Sequence, residues 1–197
     1  EGGALVLSGW SGLDPSGRRL ALDTGARYRG DSPWDVEYIQ AGDVVARDLV
    51  RSPFLVYQSG VRLHVRDAEV LAETWRPYFN RTYGHFCSHR NTPPEAPAGW
   101  PAVLRKGSVV PISQPLFSVY SQHGMQLHRD LFRNLLDLVH RERVLSVKLP
   151  SCGRVSVMEQ REPHRHIVHV LYANPIRRGD TEVIEDLVPL YDVPLAL

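Results

Sequence analysis

The sequence predicts an α/β sheet domain over residues 1–142 followed by a short all-β region over 143–197. Three observations carry this. A Gly2-Gly3 pair leads into the apolar run Ala4-Leu5-Val6-Leu7, which reads as a helix end turning into a buried strand. A wide apolar stripe of helical period occupies Gln126–His140. From Val144 onward the pattern changes to short alternating runs broken by turn residues, so the boundary falls near Arg141–Arg143.

The elements follow in chain order. Trp10 to Gly30 holds Gly12, Asp14-Pro15, Ser16-Gly17 and Gly25, and is expected to be loop with at most one short helix. Phe54–Gln58, a Ser59-Gly60 turn and Val61–Val65 read as a β-hairpin, with Val61, Leu63 and Val65 on one face of the second arm. Ala68–Phe79 suits a strand through Val70 and Leu71 and a helix through Glu69, Ala72 and Glu73. Asn91–Gly99 carries three prolines and is expected to be loop. Ala102–Leu104 and Val109–Ile112 flank Lys106-Gly107 as a second hairpin.

In Gln126–His140, Leu127, Leu131, Phe132, Leu135, Leu138 and Val139 recur at three- and four-residue steps. Arg129, Asp130, Arg133 and Asp137 take the opposite face, as on a helix laid against a sheet. His123 and His128 flank its start and read as capping or surface groups. Strands are expected at Arg154–Met158, His166–Ala173, Thr181–Ile184 and Tyr191–Leu197, and no internal repeat is visible.

Composition excludes several classes. The 197 residues carry 23 basic and 22 acidic side chains, a net charge of +1 that lacks the electrostatic footprint of a nucleic-acid binder. No apolar run approaches the roughly 20 residues of a membrane span. Two cysteines make no disulfide framework, so the cytoplasm is the expected location. Both ends are apolar and strand-like where polar, frayed termini are commoner, which reads as a piece of a longer polypeptide.

The densest chemical cluster is Asn80-Arg81-Thr82-Tyr83-Gly84-His85-Phe86-Cys87-Ser88-His89-Arg90. His85, Cys87 and His89 alternate onto one face of an extended segment and are sensible Zn²⁺ ligands with an open fourth position. However, an i, i+2, i+4 set spans about 13 Å, too far for one ion unless a loop folds it together. Cys87 as a nucleophile with His85 or His89 as base is a further reading. The others are a polar lining for a pocket or interface, and ordinary packing. His164 and His166 share a strand face that His169 does not.

Glu182 with Asp186, and Glu69 with Glu73 on a helix face, are the candidate carboxyl pairs, but both sit in charged local settings of a solvated surface. The glycines form no phosphate cradle, and Gly9-Trp10-Ser11-Gly12 is no nucleophile elbow, so no cofactor is expected.

The succession Glu1–Gly9, then Pro77-Tyr78-Phe79-Asn80-Arg81-Thr82-Tyr83-Gly84-His85-Phe86-Cys87-Ser88-His89, then Gly124–Leu138, Ala173–Gly179 and Val183–Asp186, resembles the middle region of glycoside hydrolases related to the family 42 β-galactosidases. The resemblance covers most of the chain. It implies the second part of a flavodoxin-like, class I glutamine-amidotransferase-like trimerisation domain (1–142), followed by the start of a C-terminal β-sandwich (143–197). The catalytic barrel and both catalytic acids would lie upstream of Glu1. The implied function is a non-catalytic accessory and oligomerisation region, a homo-trimer by resemblance, serving a carbohydrate substrate without nucleic acid or membrane.

On that reading Tyr78, Asn80, Arg81, Tyr83, His85 and His89 line a sugar site or a subunit interface. Aromatic faces stack on sugar C–H patches, while Asn, Arg and His bond hydroxyls. Two alternatives remain: a stand-alone metal-dependent hydrolase on His85, Cys87 and His89, and a carbohydrate-binding module on Trp34, Trp75, Trp100 and Tyr83.

Overall fold

A computed structural model describes residues 3–140 and 142–197. The chain divides into two compact units, Glu1–Arg141 and Glu142–Leu197.

The first unit is built from β1 (Leu5–Ser8), β2 (Ala26–Asp31), β3 (Glu37–Ala41), β4 (Phe54–Val56), β5 (Val61–Val65), β6 (Glu69–Pro77), β7 (Pro94–Arg105), β8 (Val109–Ile112), α1 (Leu116–His123) and α2 (Gln126–Val139). Six strands form one sheet in the order β1-β8-β7-β6-β3-β4. The β1–β8 pair is parallel and the other four pairs are antiparallel.

The expected flavodoxin-like α/β domain is therefore not what forms. That architecture alternates strand and helix, because each parallel pair needs a crossover. Here no α-helix lies between β1 and β8 among the described residues, and both helices follow the last strand of the sheet. The fold is mostly β, with a mixed sheet.

The larger core gathers Ile39, Val56, Leu71, Val103, Val110 and Ile112 of the sheet against Leu116 and Val119 of α1 and Leu131 and Leu135 of α2. Leu104, next to Val103, belongs to a second cluster with Val61 and Leu63 of β5, where the β2–β5 ladder packs. Neighbouring strand residues point to opposite faces, so β7 is covered on both sides. This explains its unbroken run of buried Ala102, Val103 and Leu104.

Four local expectations are corrected. The β4–β5 hairpin does not form: β4 pairs with β3, and β5 pairs with β2 in another ladder. The switch occurs at Gly60, whose backbone passes so close to Ser113 that a Cβ would lie 2.0 Å from the Ser113 carbonyl oxygen. Asn91–Gly99 is not all loop, since β7 begins at Pro94. Its partners there are on β6 (Pro94 opposite Pro77, Pro97 opposite Trp75), through a ladder with repeated register shifts, and β8 joins only at Val103. Proline is tolerated at such edges and bulges.

Ala68–Phe79 resolves to strand, which removes the helix face proposed for Glu69 and Glu73. The helix Gln126–Val139 forms as expected, but His128 and Asp130 are buried on it rather than at the surface. Helix α1, ended by Gly124 at φ 60°, was not anticipated.

The second unit holds β9 (Ser146–Val147), β10 (Arg154–Gln160), β11 (Arg165–Leu171), β12 (Ile176–Arg178), β13 (Thr181–Val183) and β14 (Leu195–Ala196). They pair as three separate antiparallel ladders, β10–β11, β12–β13 and β14–β9. No side chain among its described residues is buried. No helix among the described residues is long and apolar enough to cross a membrane.

Candidate functional site

The excursion between β6 and β7 carries all six residues singled out from the sequence. Its base is fixed by short polar contacts. The Asn80 side chain donates to the Pro33 carbonyl at 2.8 Å and accepts from the Asp35 amide at 2.9 Å. Thr92 Oγ1 donates to the Phe79 carbonyl at 3.1 Å. The buried Tyr38 hydroxyl donates to the Thr92 carbonyl and accepts from Asn91 Nδ2 at 2.8 Å. Burial pushes the Tyr38 phenol above its usual pKa.

Beyond this base the loop stands in solvent. Thr82 and His85 exchange backbone hydrogen bonds at 2.8 and 3.3 Å, closing a tight turn that carries Tyr83 at its tip. Tyr83 is fully exposed, Phe86 two-thirds exposed and Tyr78 more than half exposed. Exposed aromatic side chains on one loop, next to the cations Arg81 and Arg90, make a surface suited to stacking and hydroxyl recognition. The guanidinium of Arg90 lies 5.0 Å from the Tyr57 ring centre, and the His123 ring lies against the same tyrosine at 4.6 Å, tilted by 45°.

The six residues do not act as one constellation. Asn80 is engaged at the base and positions the loop. His85 stacks on Phe79 with ring centres 3.6 Å apart. Arg81, Tyr83, His85 and His89 are exposed. The Cys87 thiol donates to the His89 carbonyl at 3.3 Å. Among the described residues no group of three or more His, Cys, Asp or Glu side chains is placed to hold a metal ion.

The four aromatics of the binding-module reading occupy different settings. Arg76 lies 5.7 Å from the Trp34 ring centre, and Trp75 pairs across the sheet with Tyr38 and Pro97. Trp100 lines a cleft of about 280 Å³ with Glu73, Thr74, Pro97 and Pro101. The indole Nε1 atoms of Trp75 and Trp100 are both buried; that of Trp75 has no hydrogen-bond partner among the described residues, while Trp100 lies near enough to Glu37 to favour its ionised form.

Sequence reasoning missed a buried polar network at the carboxyl ends of β1 and β8. Glu37, Thr74, Ser113 and Gln114 are fully buried. Gln114 Nε2 donates to Glu37 Oε2 at 2.7 Å and to Thr74 Oγ1 at 3.0 Å, and the Gly60 amide donates to the same Glu37 oxygen at 3.3 Å. Ser8 Oγ ties β1 in by donating to the Gln114 carbonyl at 2.9 Å. Desolvation raises the Glu37 pKa, against the lowering effect of these donors. A lone acid inside the apolar run Val36–Ile39 was the available signal. His128 is a second buried polar group. Its Nε2 lies 3.0 Å from the Leu55 carbonyl, and burial lowers its pKa.

No protein-family model matches the chain, and no curated protein matches it by sequence. Among solved structures it is similar to α-L-fucosidase isoenzyme 2 from Paenibacillus thiaminolyticus, with a TM-score of 0.91 and 30% identity over 98% of this chain. It spans 30% of the length of that enzyme. A β-galactosidase from Rahnella sp. R3 aligns with 79% of this chain and 22% of its own, at 16% identity and a TM-score of 0.48. The chain thus shares its fold with a stretch of a glycoside hydrolase.

Proposed function

We propose that this chain is a non-catalytic accessory region of a glycoside hydrolase, and that the loop from Tyr78 to Arg90 contributes to a sugar site or to a subunit contact. The observation that carries the reading is the match of nearly the whole chain to one stretch of a fucosidase about three times as long. The carboxyl most shifted toward the neutral form, Glu37, is sealed from substrate.

Relation to the family 42 enzymes is part of the same proposal, supported by the Pro77–His89 run; so are self-association as a homo-oligomer and a cytoplasmic location. The sugar is proposed to be a fucoside, after the enzyme that the chain matches at 30% identity.

Two measurements test this. The isolated chain, assayed with 4-nitrophenyl α-L-fucoside, is expected to show no turnover. Turnover abolished by changing one of its own side chains would overturn the accessory reading. In the whole enzyme, Tyr83→Ala and His89→Ala should raise KM with little change in stability, because both side chains are exposed. Unchanged kinetics in both variants would remove the loop from the site.

A further inference from the structure

A groove of about 490 Å³ lies beside the β2–β5 ladder, away from the residues used above. Its walls include Leu20, Leu22, Tyr28, Arg19, Arg27 and Arg66. Three guanidinium groups around one groove are an excess of positive charge that surrounding carboxylates would be expected to neutralise. Of the three, Arg19 is paired with Asp14, while Asp23, Asp31 and Asp67 are engaged by other donors.

Asp23, itself in the groove wall, accepts from Lys106 Nζ at 2.7 Å, and Asp67 accepts from the same ammonium at 2.7 Å. Asp31 accepts from Trp10 Nε1 at 2.7 Å and from the Tyr28 hydroxyl at 2.8 Å. Asp14 holds Arg19 at 3.0 Å while also accepting from Ser16 and the Arg18 amide. Among the described residues, no hydrogen bond or ion pair engages the guanidinium of Arg27 or Arg66. Arg66 acts on Asp23 through space only, so two planar forks without a hydrogen-bonded partner among the described residues line one groove beside a half-exposed leucine, and match an oxyanion carried on a small organic body.

We propose that this groove is a binding site for an oxyanion, a carboxylate or sulfate group, held by Arg27 and Arg66. Arg19 adds long-range attraction through a side chain that is largely in solvent. Leu20, Leu22 and the Tyr28 ring provide an apolar wall for whatever carries the charge. The inference stands on these side chains alone and does not require the accessory role proposed above.

Calorimetric titration of the 197-residue chain at low salt tests it, with sodium sulfate, sodium glucuronate and neutral galactose as probes. Saturable binding of sulfate or glucuronate is expected with Kd of the order of 1 mM. Arg27→Gln and Arg66→Gln should each weaken it about tenfold while leaving the melting temperature unchanged, and Arg27→Lys should lose less, by keeping the charge without the fork. Tighter glucuronate than sulfate assigns a sugar acid, and the reverse assigns the free ion; both support the site. No saturable binding of either anion, equal binding by the two Gln variants, or equal binding of galactose would overturn it.

Discussion

Gln114 donates from Nε2 to Glu37 Oε2 across 2.7 Å, and neither side chain has any exposed surface. The pair joins β3 to the segment after β8, with two strands of the sheet between them, and Ser8 adds the end of β1. A carboxyl in this position titrates against the fold. Its pKa is raised above the ordinary 4.5 by desolvation, so the folded state holds its proton over a range where the unfolded chain has lost it. Stability conferred by the neutral form is present at pH below about 4.5 and declines as pH rises toward the folded value.

Glu37→Gln removes that titration while keeping an acceptor oxygen. The variant should match the parent in melting temperature near pH 4 and exceed it increasingly up to neutrality. Glu37→Ala should instead be less stable at every pH by about 1–3 kcal/mol, because the Gln114 and Gly60 donors lose their acceptor. Thermal unfolding of the three proteins across pH checks both signs. A parent that gains on Glu37→Gln as pH rises would contradict the burial argument.

Local signals found the elements whose stability is local. The apolar stripe of α2 and the Lys106-Gly107 turn, with Gly107 at φ 59°, are both in place. What escaped was decided by distant partners. Two prolines argue against a strand at Pro94–Gly99, yet β6 supplies a bulged neighbour there. Ser59-Gly60 has the composition of a hairpin turn, but Gly60 is held against Ser113, some fifty residues on, and the arms enter different ladders. His128 and Asp130 lie at the margin of the apolar stripe, where one helical step separates surface from core. The loop at Tyr78–Arg90 was legible as a cluster of chemistry, but not its division into a bonded base and a bare tip.

Asn80 is predicted to hold that division. Asn80→Ala removes two hydrogen bonds that span 45 and 47 residues of chain, each worth about 1 kcal/mol net. The effect should be local, since little beyond the base packs the loop. Proteolysis at Arg81 or Arg90 should accelerate, and amide exchange over Tyr78–Arg90 should rise, with β6 and β7 unchanged. A global loss of protection would mean that the loop base is part of the core.

Burial, not side-chain size, separates two truncations to alanine. Leu131→Ala opens a cavity between α2 and the sheet at a fully buried position and should cost about 2–5 kcal/mol. Tyr83→Ala removes a larger side chain from the exposed loop tip and should change stability by no more than about 0.5 kcal/mol. Chemical denaturation of both variants tests the assignment. A destabilising Tyr83→Ala would show that the tip is covered.

Lys106 clamps two acids from different turns, Asp23 before β2 and Asp67 after β5, each at 2.7 Å. The ammonium, as hydrogen-bond donor first and charge second, lowers the Asp23 pKa. A depressed carboxylate stabilises the fold above its unfolded pKa, and that contribution is lost as pH falls through the folded value. In Lys106→Met the Asp23 resonance should titrate nearer 3.8, and the acid limb of the stability curve should become shallower. The same substitution frees both carboxylates beside Arg66, and Asp23 already interacts with that guanidinium. Oxyanion binding in the neighbouring groove should therefore weaken in Lys106→Met although Lys106 is not among the residues lining it. Carbon-detected NMR titration of the aspartates, alongside sulfate titration of the variant, reads both effects. An Asp23 pKa that does not move would show that Lys106 is not what holds that carboxyl ionised.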